Sequence, residues 1–335
     1  MVTGGAGYIG SHTTLSLLEG GHDVVVLDNL TNSSVEAVRR VEQLAGRAVG
    51  FEELDLCDSS SVDRVLGEGS FDAVIHFAGF KAVGESVENP LKYYQNNVVG
   101  TLNLLQGMNK AGVHRLVFSS SATVYGASED VPLRENSPLD ATNPYGRTKE
   151  QIEDILSDLC ASDDRWSVAL LRYFNPAGAH ESGLIGEDPR GTPNNLVPYV
   201  SQVAVGRRAK VLVFGNDYPT DDGTGVRDYI HVVDLASGHL AALQWLRTRT
   251  GTFRWNLGTG RGTSVLELIK AFGEAAGKDI PYEIAPRRPG DAAVCYADPG
   301  AALADLGWAT KRNLAQMCED HWRWQKSNPM GYEKA

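Results

Sequence analysis

An α/β fold, a doubly wound parallel sheet followed by a smaller mixed α/β carboxyl-terminal lobe, is what the chain predicts, on three observations. A short strand runs directly into a glycine-rich loop and a helix at residues 2–19. Apolar runs of strand length then alternate with stretches of helical spacing as far as residue 175, which places helices on both faces of a parallel sheet. Beyond that point the rhythm breaks into short strands separated by long loops.

Each element follows from its residues. Val2-Thr3 enters the loop Gly4-Gly5-Ala6-Gly7-Tyr8-Ile9-Gly10, and residues 11–19 carry apolar side chains at helical spacing until Gly20-Gly21 stop them. With only Met1 to Thr3 ahead of the glycines, the opening strand is either short or truncated. Residues 24–27 are continuously apolar up to Asp28, as a strand covered on both faces must be. A strand at 49–53 leads to Asp55, a helix at 60–66 to a strand at 72–77, and a helix at 90–110 to a strand at 115–118. After Ser119-Ser120-Ser121 comes a polar loop, 127–143, a helix from about 145 to 160, and a buried strand at 167–172 that ends in Tyr173-Phe174-Asn175. Residues 176–195 are rich in Gly, Pro, Asn and acids, while 226–233 again reads as buried strand and is expected to rejoin the main sheet. The division expected is 1–175, with return segments near 226–240, and 176–335 for the substrate lobe.

Composition narrows the function. Its 335 residues suit about two domains. At 42% hydrophobic and 22% charged it is neither disordered nor fibrous. The longest apolar runs fall far short of the ~18 residues that cross a membrane. The start shows no basic segment followed by an apolar one, so a cytoplasmic protein is expected. Thirty-one Lys and Arg against 42 Asp and Glu leave a net charge of −11, which disfavours nucleic acid and anionic lipid as partners. An anionic ligand would need a local basic pocket. Cys57, Cys160, Cys295 and Cys318 have neither disulfide-framework nor metal-ligand spacing, so no metal is expected and most should be small buried fillers.

Glycines at 4, 7 and 10 between strand and helix permit a tight turn, close approach to a pyrophosphate and close packing of helix on strand. Asp28 lies 18 residues after Gly10 at the end of the next strand, where a carboxylate accepts hydrogen bonds from adenosine ribose hydroxyls. That favours NAD over NADP; the plainer reading is a turn residue beside Asn29. Asp55-Leu56 and Phe77-Ala78-Gly79 end later strands on the edge where ligands bind, although ordinary turns leave the same residues there.

Tyr145 and Lys149 stand four residues apart at a helix start, so both project from one face. A free phenol has a pKa of about 10, and bringing it to about 7 takes roughly 4 kcal/mol of preferential phenolate stabilisation. A lysine ammonium and a positive nicotinamide ring could supply it. Ser121, at the end of the strand that begins at Arg115, can hydrogen-bond a sugar hydroxyl or the tyrosine oxygen. Alone, Y-x-x-x-K is a common surface pair; joined to the glycine loop, Asp28 and Ser121, it reads as a catalytic set.

These residues, with the strings TGGAGYIGSH, VVLDNLTNSS, VIHFAGFKAVGES, FSSSATVYG, NPYGRTK, LLRYFNPAGAH, NNLVPYVSQVAVGRR, VFGNDYPTDDGTGVRDYIHVVDLA and APRRPGD, resemble the extended short-chain dehydrogenase/reductase family from residue 2 to about 330. The resemblance implies a Rossmann-type fold with tightly held NAD, a UDP-hexose substrate, and epimerisation at carbon 4 through a 4-keto sugar. Tyr145 as phenolate would take the 4-hydroxyl proton, and Lys149 would lower its pKa and bind the nicotinamide ribose. For NAD it implicates Tyr8, Ile9, Asp28, Asn29, Leu30, Thr31, Asn32, Ser33, Asp55, Leu56, Phe77, Ala78, Gly79, Phe80, Lys81, Asn96 and Phe174, beside Gly4, Gly7, Gly10, Ser121, Tyr145 and Lys149. For the substrate it implicates Lys81, Ser121, Ala122, Thr123, Tyr145, Tyr173, Phe174, Asn175, Asn194, Asn195, Leu196, Val213, Phe214, Arg227 and residues 288–291, with Arg288 and Asp291 foremost. Arg227 and Arg288 suit a diphosphate. Phe214 is read as lying against uracil or as core; Arg207, Arg208 and Arg287 as solvated. A homodimer through helices 90–110 and 145–160 is implied.

Cys295 stands where some family members carry a bulky Tyr beside the sugar's carbon 2. Either it widens the pocket for N-acetylated UDP-sugars or it is core packing. A 4,6-dehydratase would need an acid and a base where Ala122 and Thr123 stand. A UDP-glucuronate epimerase or decarboxylase differs mainly at carbon 6, and a non-catalytic NAD-binding regulator would have no reason to keep Ser121, Tyr145 and Lys149 together.

Overall fold

The computed structural model describes residues 1–128, 130–288 and 290–333. The first part comprises β1 (Val2–Thr3), α1 (Tyr8–Glu19), β2 (Val25–Asp28), α2 (Val35–Ala45), β3 (Gly50–Glu53), α3 (Ser59–Glu68), β4 (Val74–His76), α4 (Val83–Glu88), α5 (Pro90–Tyr93), α6 (Gly100–Lys110), β5 (Arg115–Ser121), α7 (Pro144–Ser162) and β6 (Ser167–Tyr173). Then follow β7 (Asn175–Ala177), α8 (Leu196–Ala204), β8 (Val211–Phe214), β9 (Val226–Arg227), β10 (Tyr229–His231), α9 (Val232–Trp245), β11 (Gly251–Leu257), β12 (Thr263–Ser264), α10 (Val265–Ala276), β13 (Tyr282–Ala285), β14 (Val294–Cys295), α11 (Gly300–Leu306) and α12 (Leu314–Ser327).

Seven strands form one parallel sheet in the order β3–β2–β1–β4–β5–β6–β11. Apolar residues alternate between its two faces. Val26, Ile75, Val117, Ala169 and Leu171 join one core cluster, while Leu27, Val74, Leu116, Phe118, Val168 and Leu170 join the other. That period of two, with both faces buried, is why these strands read as unbroken apolar runs. The chain order reverses at β1, and the crevice outside the carboxyl ends of β1 and β4 is where such sheets take ligands.

Three expectations are corrected. The run 226–233 does not rejoin the main sheet: β9 pairs with β12 and β14, and β10 pairs with β7, in two small separate sheets. The strand that joins the main sheet is β11, in register with all of β6. The helix expected over 90–110 is divided by a π-helical turn, Tyr94–Val99, between α5 and α6. Of the cysteines only Cys318 is buried; Cys57, Cys160 and Cys295 are half-buried. No helix among the described residues is long and apolar enough to cross a membrane.

Candidate active site

A cavity of about 690 Å³ opens at the carboxyl edge of the sheet. At its floor, α1 begins at Gly7 with no side-chain cap and no acidic residue in its first turn, which leaves free N–H groups and the positive end of the helix dipole for an anion. Gly4 has φ +69°, and a Cβ there would stand 2.7 Å from the Ala78 nitrogen; one on Gly10 would stand 2.2 Å from the Gly4 oxygen. The cradle therefore admits no larger residue at either position, and its free N–H groups fit a pyrophosphate.

Asp28, at the end of β2, is buried. Its Oδ2 accepts from the Ala6 N–H at 3.0 Å, and its Oδ1 accepts from the Leu30 N–H at 3.0 Å and the Ser33 hydroxyl at 2.7 Å. The carboxylate thus orders the loop in which Leu30 takes φ 54°, and keeps lone pairs for a ribose.

At the other end, Asn143 caps α7 by accepting from the Gly146 N–H at 2.9 Å, with Pro144 in the first turn. The i, i+4, i+8 set of Tyr145, Lys149 and Glu153 meets three consecutive serines of β5. Tyr145 interacts with the Ser121 hydroxyl, Lys149 Nζ donates to the Ser119 carbonyl at 2.6 Å, and the Ser120 hydroxyl donates to Glu153 Oε1 at 2.5 Å. Glu153 is itself ion-paired with buried Arg172, whose Nε lies 2.9 Å from Oε1. The Ser119 hydroxyl is bonded to the Tyr173 phenol. Asn97, from the π-turn, accepts from the Phe80 N–H at 2.8 Å and donates to Thr148 Oγ1 at 3.1 Å, tying the loop after β4 to α7 beside Lys149.

Burial pushes the Tyr145 phenol above its ordinary pKa, with Ser121 acting the other way. Burial also pushes Lys149 down to about 7, against the pull of Glu153. The Lys149 amine donates to the Ser119 carbonyl and lies 4.7 Å over the Phe118 ring, which leaves two of its three N–H donors for a ligand. The chain alone therefore keeps Tyr145 protonated at neutral pH.

Of the residues expected at NAD, the cavity is lined by Gly4, Gly7, Tyr8, Ile9, Gly10, Asp28, Asn29, Thr31, Asn32, Ser33, Asp55, Leu56, Phe77, Ala78, Gly79, Phe80, Lys81, Asn96, Tyr145 and Lys149; Leu30, Ser121 and Phe174 are not among its walls. Of the substrate set only Lys81, Tyr145 and Tyr173 line it. Ala122 and Phe174 are buried in a small cluster against which Cys295 packs, and Val213 is buried in the core of the second lobe. Asn195 is the residue before α8, and Arg288 lies 4.9 Å over the Phe214 ring and 2.9 Å from Asp291. Arg227 stands 4.0 Å from Asp291; Pro289, within that turn, lies outside the described residues. Arg207, read as solvated, reaches the cavity rim.

Ser119, Glu187 and Arg190 also line the cavity, beyond the residues expected from the sequence. The only signal for the last two was their place in the Gly- and Pro-rich stretch after β7.

A family model described as GDP-mannose 4,6 dehydratase matches residues 1–321. A UDP-glucose 4-epimerase of Bacillus subtilis (strain 168) is 61% identical over 335 residues, covering 100% of this chain and 99% of that one. Among solved structures, the UDP-glucose 4-epimerase from Bifidobacterium longum in complex with NAD+ and UDP matches with a TM-score of 0.96 at 53% identity, with 98% of each chain covered. The UDP-Glc/GlcNAc 4-epimerase of Campylobacter jejuni matches with a TM-score of 0.85 at 40% identity, over 97% of this chain and 98% of that one. On 61% identity to the first over essentially the full length of both chains and a family model spanning almost the whole sequence, the chain belongs to the UDP-glucose 4-epimerase family of extended short-chain dehydrogenases/reductases.

Proposed function

We propose that the protein interconverts UDP-glucose and UDP-galactose by reversible oxidation at carbon 4 of the hexose, with NAD as a resident cofactor. The observation that carries this reading is that one cavity is lined by Tyr145, Lys149 and Ser119 as well as by the glycine cradle and Asp28. Gly4, Gly7, Gly10 and Asp28 would hold the pyrophosphate and adenosine ribose, and Lys149 the nicotinamide ribose. When bound, NAD supplies the hydride acceptor that takes carbon 4 to a ketone and the donor that returns it, and its positive ring favours the phenolate that the chain alone does not stabilise. Tyr145 accepts the proton of the 4-hydroxyl and gives it back, while Ser121 hydrogen-bonds the same oxygen and holds the geometry. Residues 1–175, with return segments near 226–240, would mainly hold the cofactor and 176–335 mainly the UDP-sugar.

Although the matched family model is named for a dehydratase, Ala122 has no proton to transfer and the Thr123 hydroxyl is bonded to Ser121 Oγ at 2.9 Å. Mixing purified protein with UDP-galactose tests the proposal: UDP-glucose should accumulate to a fixed ratio, and its absence with NAD bound would refute it.

Turnover of UDP-N-acetylglucosamine belongs to the same proposal. Cys295 packs against the cluster that holds Ala122 and Phe174 rather than lining the cavity, and burial pushes its thiol up to about 11, so what it would offer a neighbouring acetamido group is small volume rather than reactivity. Wild-type turnover of the acetylated sugar, lost in Cys295→Tyr, is expected; none in the wild type would end the idea. A cytoplasmic homodimer is the assembly we infer. Four unpaired cysteines suit a reducing compartment, and Val83, Val87, Leu91 and Leu102 expose apolar side chains along the 83–110 helices.

A further inference from the structure

One segment of the second lobe spans the cavity. Residues 186–190, in the loop between β7 and α8, are seated from behind: a Cβ on Gly186 would meet the Trp324 ring at 2.3 Å, Trp324 Nε1 donates to the Glu187 carbonyl at 3.2 Å, and the Tyr332 N–H donates to Asp188 Oδ2 at 2.8 Å. In front, the segment is fastened at both ends of the cleft. Glu187 Oε1 accepts from Lys81 Nζ, on the loop after β4, at 3.2 Å. Arg190 Nη2 donates to the Ser33 carbonyl at 2.8 Å and Nη1 to the Thr31 carbonyl at 3.3 Å, both on the loop that Asp28 organises. Glu187 is buried and its Oε2 has no partner among the described residues, so its carboxylate depends on Lys81 and on Asn195 Nδ2 at 3.2 Å.

We propose that residues 186–190 are a strap that retains the dinucleotide between turnovers, with Arg190 as the end that parts for release and the Glu187–Lys81 pair as the anchored end. It rests on the reading of NAD as resident cofactor. An epimerase gains from such a strap because its reaction has no net redox change and loses half its cycle if the reduced cofactor escapes. Arg190 is exposed and donates only to backbone carbonyls, so its loss leaves no buried charge unpaired.

The test is the rate at which bound NAD leaves the purified holoprotein after dilution into a scavenging dehydrogenase, for wild type, Arg190→Ala, Arg190→Lys and Glu187→Gln. Arg190→Ala should release NAD ~10- to 100-fold faster, the loss of two charge-assisted bonds, with Arg190→Lys between it and wild type. The melting temperature of the NAD-stripped Arg190→Ala protein should match that of stripped wild type, which a merely structural role would not allow. Wild type that holds NAD while Arg190→Ala and Glu187→Gln release it at the wild-type rate overturns the strap alone. Wild type that neither carries nor takes up NAD overturns the cofactor reading and the strap with it.

Discussion

The cofactor cleft and the arginine corner of the second lobe handle charge in opposite ways. Asp28 and Lys149 in the cleft, and Glu153 and Arg172 behind it, are buried and each is met by fixed partners within the chain. In the corner, Arg227 and Arg288 have side chains 22% and 54% exposed, and both turn toward the single carboxylate of Asp291. Buried, internally matched groups carry their desolvation cost before any ligand arrives and suit a group that stays. Partly exposed arginines sharing one acid keep donors for an anion that comes and goes. On the proposed function, cofactor retention and substrate exchange would thus be separated in space.

Substitutions should break the two sides differently. Tyr145→Phe removes the proton acceptor and should lower kcat ~10²- to 10⁴-fold, while the NAD content of the purified protein stays at the wild-type level. A large loss of NAD would move Tyr145 from chemistry to binding. Arg227→Ala and Arg288→Ala should each raise KM for the UDP-hexose ~10- to 100-fold with kcat changed far less. Equal losses in both constants would place those arginines at the reacting carbon instead. The smallest effect concerns Lys149. Its pKa falls from the usual lysine range to about 7 on folding, so the unfolded chain binds more protons between those values and the penalty grows as pH falls through that window. Lys149→Met should therefore raise the melting temperature of NAD-free protein at pH 7 by roughly 2–4 °C, with the gain shrinking toward pH 10. A gain independent of pH would mean that packing, not charge burial, is responsible.

The parallel sheet was legible because its strands are apolar on both faces, and the cradle because only glycine fits there. Strand β11 was hidden: as an edge strand its first half, with Arg254 exposed, breaks the apolar run. The stretch 226–233 misled for the opposite reason, since its apolar density is buried by small sheets and by α9 rather than by the main sheet. Ser121, Tyr145 and Lys149 could be picked out together, but not which serine meets which partner, nor that the lysine is held by Ser119. The Glu187 and Arg190 contacts span 106 and 157 residues of chain, a separation at which no local pattern carries a signal.

The most direct test of hydride chemistry at carbon 4 with a captive cofactor is to run UDP-galactose to equilibrium in D2O and read the product by mass and proton resonance. UDP-glucose carrying no deuterium at carbon 4 is the expected result, because the carbon-bound hydrogen leaves and returns without meeting solvent. Deuterium at carbon 4, or no conversion by protein that holds NAD, would contradict it.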